Sequence, residues 1–150
     1  MHTVILYGQT SAKACIKKKR RIEMGKTDFE FLKGYAETEE FPLVICDINY
    51  KIRFMNSRAV KEYEKYGGTE MIGRSLLAFL DEEAKSKVDM VIEWFKESPE
   101  NNKVLSVSDA NCLKDKYMCA IRDDRGELIG FCSKHRSRKQ DKNVPYETID

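Results

Sequence analysis

The chain has 150 residues, of which 35% are charged and 41% apolar, and it carries a formal net charge of +2. That length can bury a proper core as one domain with appendages, and the composition is an ordinary soluble one. No apolar run approaches the roughly 20 residues needed to span a bilayer, which excludes a membrane-spanning helix.

The net charge conceals an asymmetry. Residues 1–26 hold seven Lys/Arg against the single acidic Glu23, giving +6, which leaves −4 for residues 27–150. The basic character therefore belongs to a leader, and five adjacent charges at Lys17, Lys18, Lys19, Arg20 and Arg21 read first as a solvated segment. The opening run Met1-His-Thr-Val-Ile-Leu-Tyr7 is too short for a secretory signal, and its basic cluster follows it instead of preceding it. The expected compartment is the cytoplasm. Met24, just ahead of the first helix signal, is an alternative start.

That signal is Thr27-Asp-Phe-Glu30, an S/T-x-x-E capping box. It predicts a helix over 28–39 with Phe29, Leu32 and Ala36 on one stripe, ended by Pro42. A strand at 43–46, a turn at 47–50 and an antiparallel strand at 52–55 follow. Asn56 is placed to cap a helix over 57–66, with Ala59, Val60 and Tyr63 facing inward and Gly67-Gly68 as its stop. Short helical turns are expected over 70–80. Asp81 caps the longest helix, 82–98, whose stripe is Ala84, Val88, Val91 and Phe95. A strand at 103–108, a polar connection at 110–115, and a hairpin of strands 117–122 and 127–133 around Asp123-Asp-Arg-Gly126 complete the order. Residues beyond 134 read as a polar tail.

Both faces of the closing hairpin are apolar. Strict alternation puts Met118 and Ala120 with Leu128, Gly130 and Cys132 on one face, and Tyr117, Cys119 and Ile121 with Ile129 and Phe131 on the other. A sheet with one wet face alternates apolar with polar, so this one needs cover on both sides. The helices of 57–98 cover one face. The other calls for the 28–39 helix, a second subunit, or both.

Residues that carry chemistry are sparse. No phosphate-binding G-x-x-x-x-G-K-[ST] loop, G-x-S-x-G elbow or H-E-x-x-H run is present. With only His2 and His135, a histidine zinc site is not expected, and the five cysteines (Cys15, Cys46, Cys112, Cys119, Cys132) show no C-x-x-C pairing. An odd number of cysteines fits a reducing compartment, and three of them lie in strand-like segments, where a thiol acts as a small apolar group. Strict alternation separates Cys119 from Cys132, which argues against a redox pair. No enzymatic activity is expected.

The order strand, strand, short helices, long helix, three strands resembles the PAS fold. The residues that carry the resemblance are Val44-Ile-Cys-Asp47, Ile52-Arg-Phe-Met-Asn56, Met71-Ile-Gly-Arg-Ser-Leu76 and Ile121-Arg-Asp-Asp-Arg-Gly-Glu-Leu-Ile-Gly130. Short stand-alone bacterial PAS proteins are similar at Tyr66-Gly-Gly68, Ile72-Gly-Arg-Ser-Leu-Leu77, Trp94-Phe95 and Tyr117-Met-Cys-Ala-Ile-Arg-Asp123. The resemblance implies an α+β fold with an antiparallel sheet of about five strands in the order 2-1-5-4-3, helices on one face and a flanking N-terminal helix. It divides the chain into a basic leader (1–26), that helix (27–40), a PAS domain (41–135) and a polar tail (136–150). Relatives often carry a Cys-His pair after their S-L-L run, where this chain has Phe79-Leu80, and the flavin-attaching N-C-R-F-L-Q run is absent. Neither haem nor flavin is supported, and the cofactor stays unknown.

The function so implied is a cytoplasmic, non-enzymatic sensor or adaptor that binds a small apolar ligand, mediates homodimerisation, or both. A signalling partner on another chain is expected, because 150 residues leave no room for a kinase or a full helix-turn-helix. The candidate ligand-pocket wall is Met118, Ala120, Leu128 and Cys132 opposite Phe54, Tyr63, Leu76 and Val91. The candidate interface is Tyr117, Ile121, Ile129 and Phe131 with Leu32 and Tyr35. The alternative is a nucleic-acid-associated regulator using the basic run 17–21 and residues 135–139.

Overall fold

A computed structural model describes residues 25–111, 113–139 and 142–143 of the chain. The basic run 17–21, the apolar run 4–7, Cys15 and Cys112 lie outside the described residues. The elements are α1 (Lys26–Glu37), β1 (Val44–Asp47), β2 (Ile52–Met55), α2 (Ser57–Glu62), α3 (Glu82–Glu97), β3 (Lys103–Asp109), β4 (Lys114–Arg122) and β5 (Leu128–Ser137). Short 3-10 turns at Glu64–Tyr66, Gly68–Met71 and Leu76–Phe79 link α2 to α3.

The strands form one antiparallel sheet in the order β2-β1-β5-β4-β3, the order that the resemblance implies. The last two strands are longer than expected. Lys114 pairs with Ser137 and Lys116 with His135, so the strand runs past 134 into what read as tail, and the polar connection before β4 shrinks. Polar side chains do not prevent pairing here, because β4 from Lys114 to Lys116 is paired with β3 on one side and β5 on the other.

Three side chains set the local geometry. The buried Asn56 Oδ1 accepts from the backbone N–H of Ala59 and of Leu43, both at 2.9 Å, and its Nδ2 donates to the Phe41 carbonyl at 3.0 Å. It therefore caps α2 and also fixes the chain entering β1. Asp81 Oδ1 accepts from Ala84 N–H at 2.8 Å and starts α3. At the other end of α3, the Arg122 guanidinium donates to the carbonyls of Phe95, Ser98 and Asn101 at 2.7, 3.0 and 3.1 Å. A cation among the last carbonyls of a helix suits its dipole, so Arg122 ties α3 to β4.

The first helix starts differently from the sequence pattern. Its N-cap is Gly25, whose N–H donates to the Asp28 carboxylate at 2.9 Å, so Asp28 does the work expected of Thr27 and Glu30. α2 also stops early, at Glu62, and the chain tightens into the 3-10 turn that Gly67 closes at φ 116°.

The core lies between one sheet face and the helices α2 and α3. It contains Val44, Cys46, Ile52, Met55, Ala59, Met71, Ile92, Phe95, Met118 and Phe131. Two bulges decide which strand residues reach it. Ile45 opposes Phe54 while Cys46 opposes Ile52, leaving Arg53 as an extra residue in β2. Ile121 opposes Gly130 while Arg122 opposes Leu128, leaving Ile129 extra at the start of β5. In each strand two core-facing residues, Ile52 and Met55 or Leu128 and Phe131, are three apart instead of two or four, as an inserted residue requires.

Candidate functional site

The bulges correct the expected faces. Met118, Ala120 and Leu128 lie on the inner face, and Tyr63, Leu76 and Val91 pack toward the same core. Cys132 does not join them: it stands directly opposite Cys119 and Ile45 on the outer face. Phe54, opposite Ile45, is also on the outer face. Phe131 makes the reverse exchange, since it opposes Ala120 and Cys46 and is 2% exposed in the core. It is therefore no part of an interface.

The six wall residues that remain are packed against the buried cluster. Two surface hollows lie elsewhere. One, of about 560 Å³, is bordered by Glu39, Phe41, His135, Arg136 and Lys139. The other, of about 460 Å³, lies between α2 and the Gly68–Met71 turn, bordered by Ser57, Val60, Glu64 and Gly68. Neither is lined by a residue of the expected wall.

Tyr50 was not singled out by the sequence and is the most distinctive residue on the inner side. It sits at φ 63°, a left-handed conformation rare for a bulky residue. Its ring packs edge-on against Phe131 at 6.1 Å between centroids, and burial together with a hydrogen bond to Asp89 pushes its hydroxyl up to about 12. The turn is built by Asp47, whose Oδ1 accepts from the N–H groups of Asn49 and Lys51 at 3.0 Å each. Such an Asx turn is legible in Asp47-Ile-Asn-Tyr50, although the direction of the tyrosine is not.

His135 and Arg138 of the basic run 135–139 are engaged within the fold. His135 Nδ1 lies 3.3 Å from the Pro42 carbonyl, and burial lowers its pKa below the ordinary 6.5. Arg138 pairs with Asp115 at 3.2 Å and donates to the Asp109 carbonyl at 2.9 Å. Among the described residues no group of three His, Cys, Asp or Glu is placed to hold a metal ion. No helix among them is long and apolar enough to cross a membrane.

The outer face is set in transverse rows. Lys103, Cys119, Cys132, Ile45 and Phe54 form one row across all five strands, and Leu105, Tyr117 and Lys134 form the next. Tyr117 and Ile121 are half-buried there, and Ile129 is 47% exposed at the bulge. The first helix does not cover these rows by burying itself: none of its residues is buried, and Phe29, Phe31, Leu32 and Tyr35 are 60%, 74%, 53% and 70% exposed.

What holds α1 is its last residue. Glu37 Oε2 accepts from the Ser57 hydroxyl at 2.5 Å and from the Ser57 N–H at 3.0 Å, while Arg58 donates to the Glu37 carbonyl at 3.3 Å. The Ser57 hydrogen bonds lower the Glu37 pKa below its ordinary 4.5. A depressed carboxylate contributes its stabilisation above the unfolded-state value and loses it as pH falls through the folded one. Hydrogen exchange should therefore show α1 opening selectively as pH falls below the ordinary carboxylate range. Glu37→Gln should produce the same loosening at neutral pH. Equal α1 protection in the parent and the variant at neutral pH would dismiss this anchor.

The strand order, the bulged sheet and the run of short turns before a long helix together decide the architecture. The fold is PAS-like. No protein-family model matches the sequence, and no curated protein matches it. Among solved structures, the C-terminal domain of a Streptococcus mutans protein superposes with a TM-score of 0.60 at 17% identity, covering 78% of this chain and 91% of that one. The PAS domain of a Colwellia psychrerythraea protein gives 0.49 at 15% identity, covering 71% and 96%. A sensory box sensor histidine kinase from Vibrio cholerae gives 0.43 at 15%, covering 73% and 90%. At 17% identity the superposition at 0.60 concerns the fold alone and not the activity carried on it.

Proposed function

We propose that this chain is a non-enzymatic PAS sensor or adaptor module of the cytoplasm that works by assembly, as a homodimer relaying a change of state to another signalling chain. The observations that carry this reading are α1, a helix with four large apolar side chains in water, and an outer sheet face that keeps Ile45, Phe54, Tyr117 and Ile121 only half-buried. A stripe of that kind marks a contact surface. A second copy supplies the same helix and the same face, which is what a two-fold interface needs. A small apolar ligand remains part of the proposal, entering by displacement among Met118, Ala120, Leu128, Tyr63, Leu76 and Val91. It would act by favouring one arrangement of α1 over another.

Sedimentation equilibrium tests the assembly. The parent chain should be dimeric, and the double variant Phe31→Glu, Leu32→Glu should be monomeric with an unchanged circular dichroism spectrum, because neither side chain is buried in the protomer. A parent that stays monomeric at every concentration sinks the proposal.

A further inference from the structure

We propose that Cys119 and Cys132 form a reversible intramolecular disulfide across β4 and β5, which makes the outer sheet face a site of oxidative modification. The register places the two residues directly opposite each other on adjacent strands. Both are free and half-exposed. Directly opposed residues of an antiparallel pair have Cα atoms about 4.5 or 5.5 Å apart, inside the roughly 4.4–6.8 Å that a disulfide spans. Their Cβ atoms lie about 4.5–5.5 Å apart, whereas a relaxed disulfide wants about 3.5–4.5 Å. Closing the bond therefore draws the strands together and stores strain, and strained, exposed disulfides are the readily reduced, regulatory kind. Cys46 is excluded as the partner, because it is buried on the inner face, where burial pushes its thiol up to about 12.

The oxidant is a low-molecular-weight disulfide such as glutathione disulfide. The Cys119 thiolate attacks one of its sulfurs, forming a mixed disulfide and expelling one glutathione thiolate. Cys132 gives its proton to solvent and attacks the Cys119 sulfur, expelling the second. The protein thiols lose two electrons, the small disulfide gains them, and both protons end on glutathione. Burial pushes the Cys132 thiol up to about 11, which lowers its thiolate fraction, and its position opposite Cys119 offsets that loss in this second step.

The test uses the full reduced chain, treated with glutathione disulfide, alkylated and digested with trypsin without reductant. Cleavage after Lys116, Arg122, Arg125 and Lys134 releases peptides 117–122 and 126–134. They should be recovered as one linked species, two hydrogen masses below their sum, that dithiothreitol separates. Linkage should form at least about tenfold faster in the folded chain than in urea, as expected of pre-aligned groups. Cys119→Ser and Cys132→Ser should each abolish it. Peptides that stay separate, singly glutathionylated or alkylated, overturn the proposal, and so do equal rates in the folded and unfolded chain. The linked peptide reports the disulfide alone: a monomeric chain that still forms the link removes only the assembly proposal.

Discussion

Asn56→Ala should lower the stability of the domain by about 4 kcal/mol, the sum of a lost helix cap and two further backbone groups left unpaired. The side chain is fully buried and makes three hydrogen bonds, to the N–H groups of Leu43 and Ala59 and to the Phe41 carbonyl. Alanine leaves two donors and one acceptor without partners in a space too dry for water to replace them cheaply. Against a net stability of about 5–15 kcal/mol, that loss is large. Urea unfolding followed by circular dichroism should show a much lower midpoint with an unchanged slope. Asn56→Asp retains both acceptor bonds and loses only the donor to Phe41, so it should fall between the two. An alanine variant with the parent's midpoint would mean that Asn56 does not join β1 to α2.

Gly130→Val should separate β1 from β5, at a cost of about 3 kcal/mol or more for an overpacked site that cannot relax. A Cβ at this position would stand 2.3 Å from the Cys46 carbonyl oxygen and 3.3 Å from the Asp47 Cα. Those neighbours are backbone atoms of the paired strand, not the ends of movable side chains. Relief requires the central ladder itself to open. Because β1 and β5 join the two halves of the sheet, the variant should lose cooperativity in thermal unfolding as well as midpoint. A variant that melts like the parent would show that the close approach at Cys46 is not a real constraint.

The parts legible from the sequence are those whose causes are local. Asn56 and Asp81 stand where a cap belongs, the stripe through Val88, Val91 and Phe95 marks α3, and Ile52-Arg-Phe-Met55 marks β2. The faces of β2 and β5 were not legible, for one shared reason. A single inserted residue reverses every later side chain in a strand. Arg53 and Ile129 are ordinary in type, and nothing in them announces a bulge. From that one omission follow the misplacement of Phe54, Cys132 and Phe131 and the dismissal of the cysteine pair. Tyr50 was hidden differently. Its left-handed backbone is what a glycine or asparagine would signal, and a tyrosine held there by Phe131 and Asp89 depends on contacts far along the chain.

The attachment of α1 through Glu37 gives the fold a pivot. Ser57 is bonded to α1, and its neighbour Asn56 is bonded to the core, so two consecutive residues connect an exposed rod to the interior. At 12 residues and 1.5 Å per residue the rod is about 18 Å long. A tilt of α2 by about 10° thus swings the free end, with Phe29, through about 3 Å on that length. Displacements too small to alter the packed interior become, at the tip, as large as the spacing that decides whether two apolar surfaces meet.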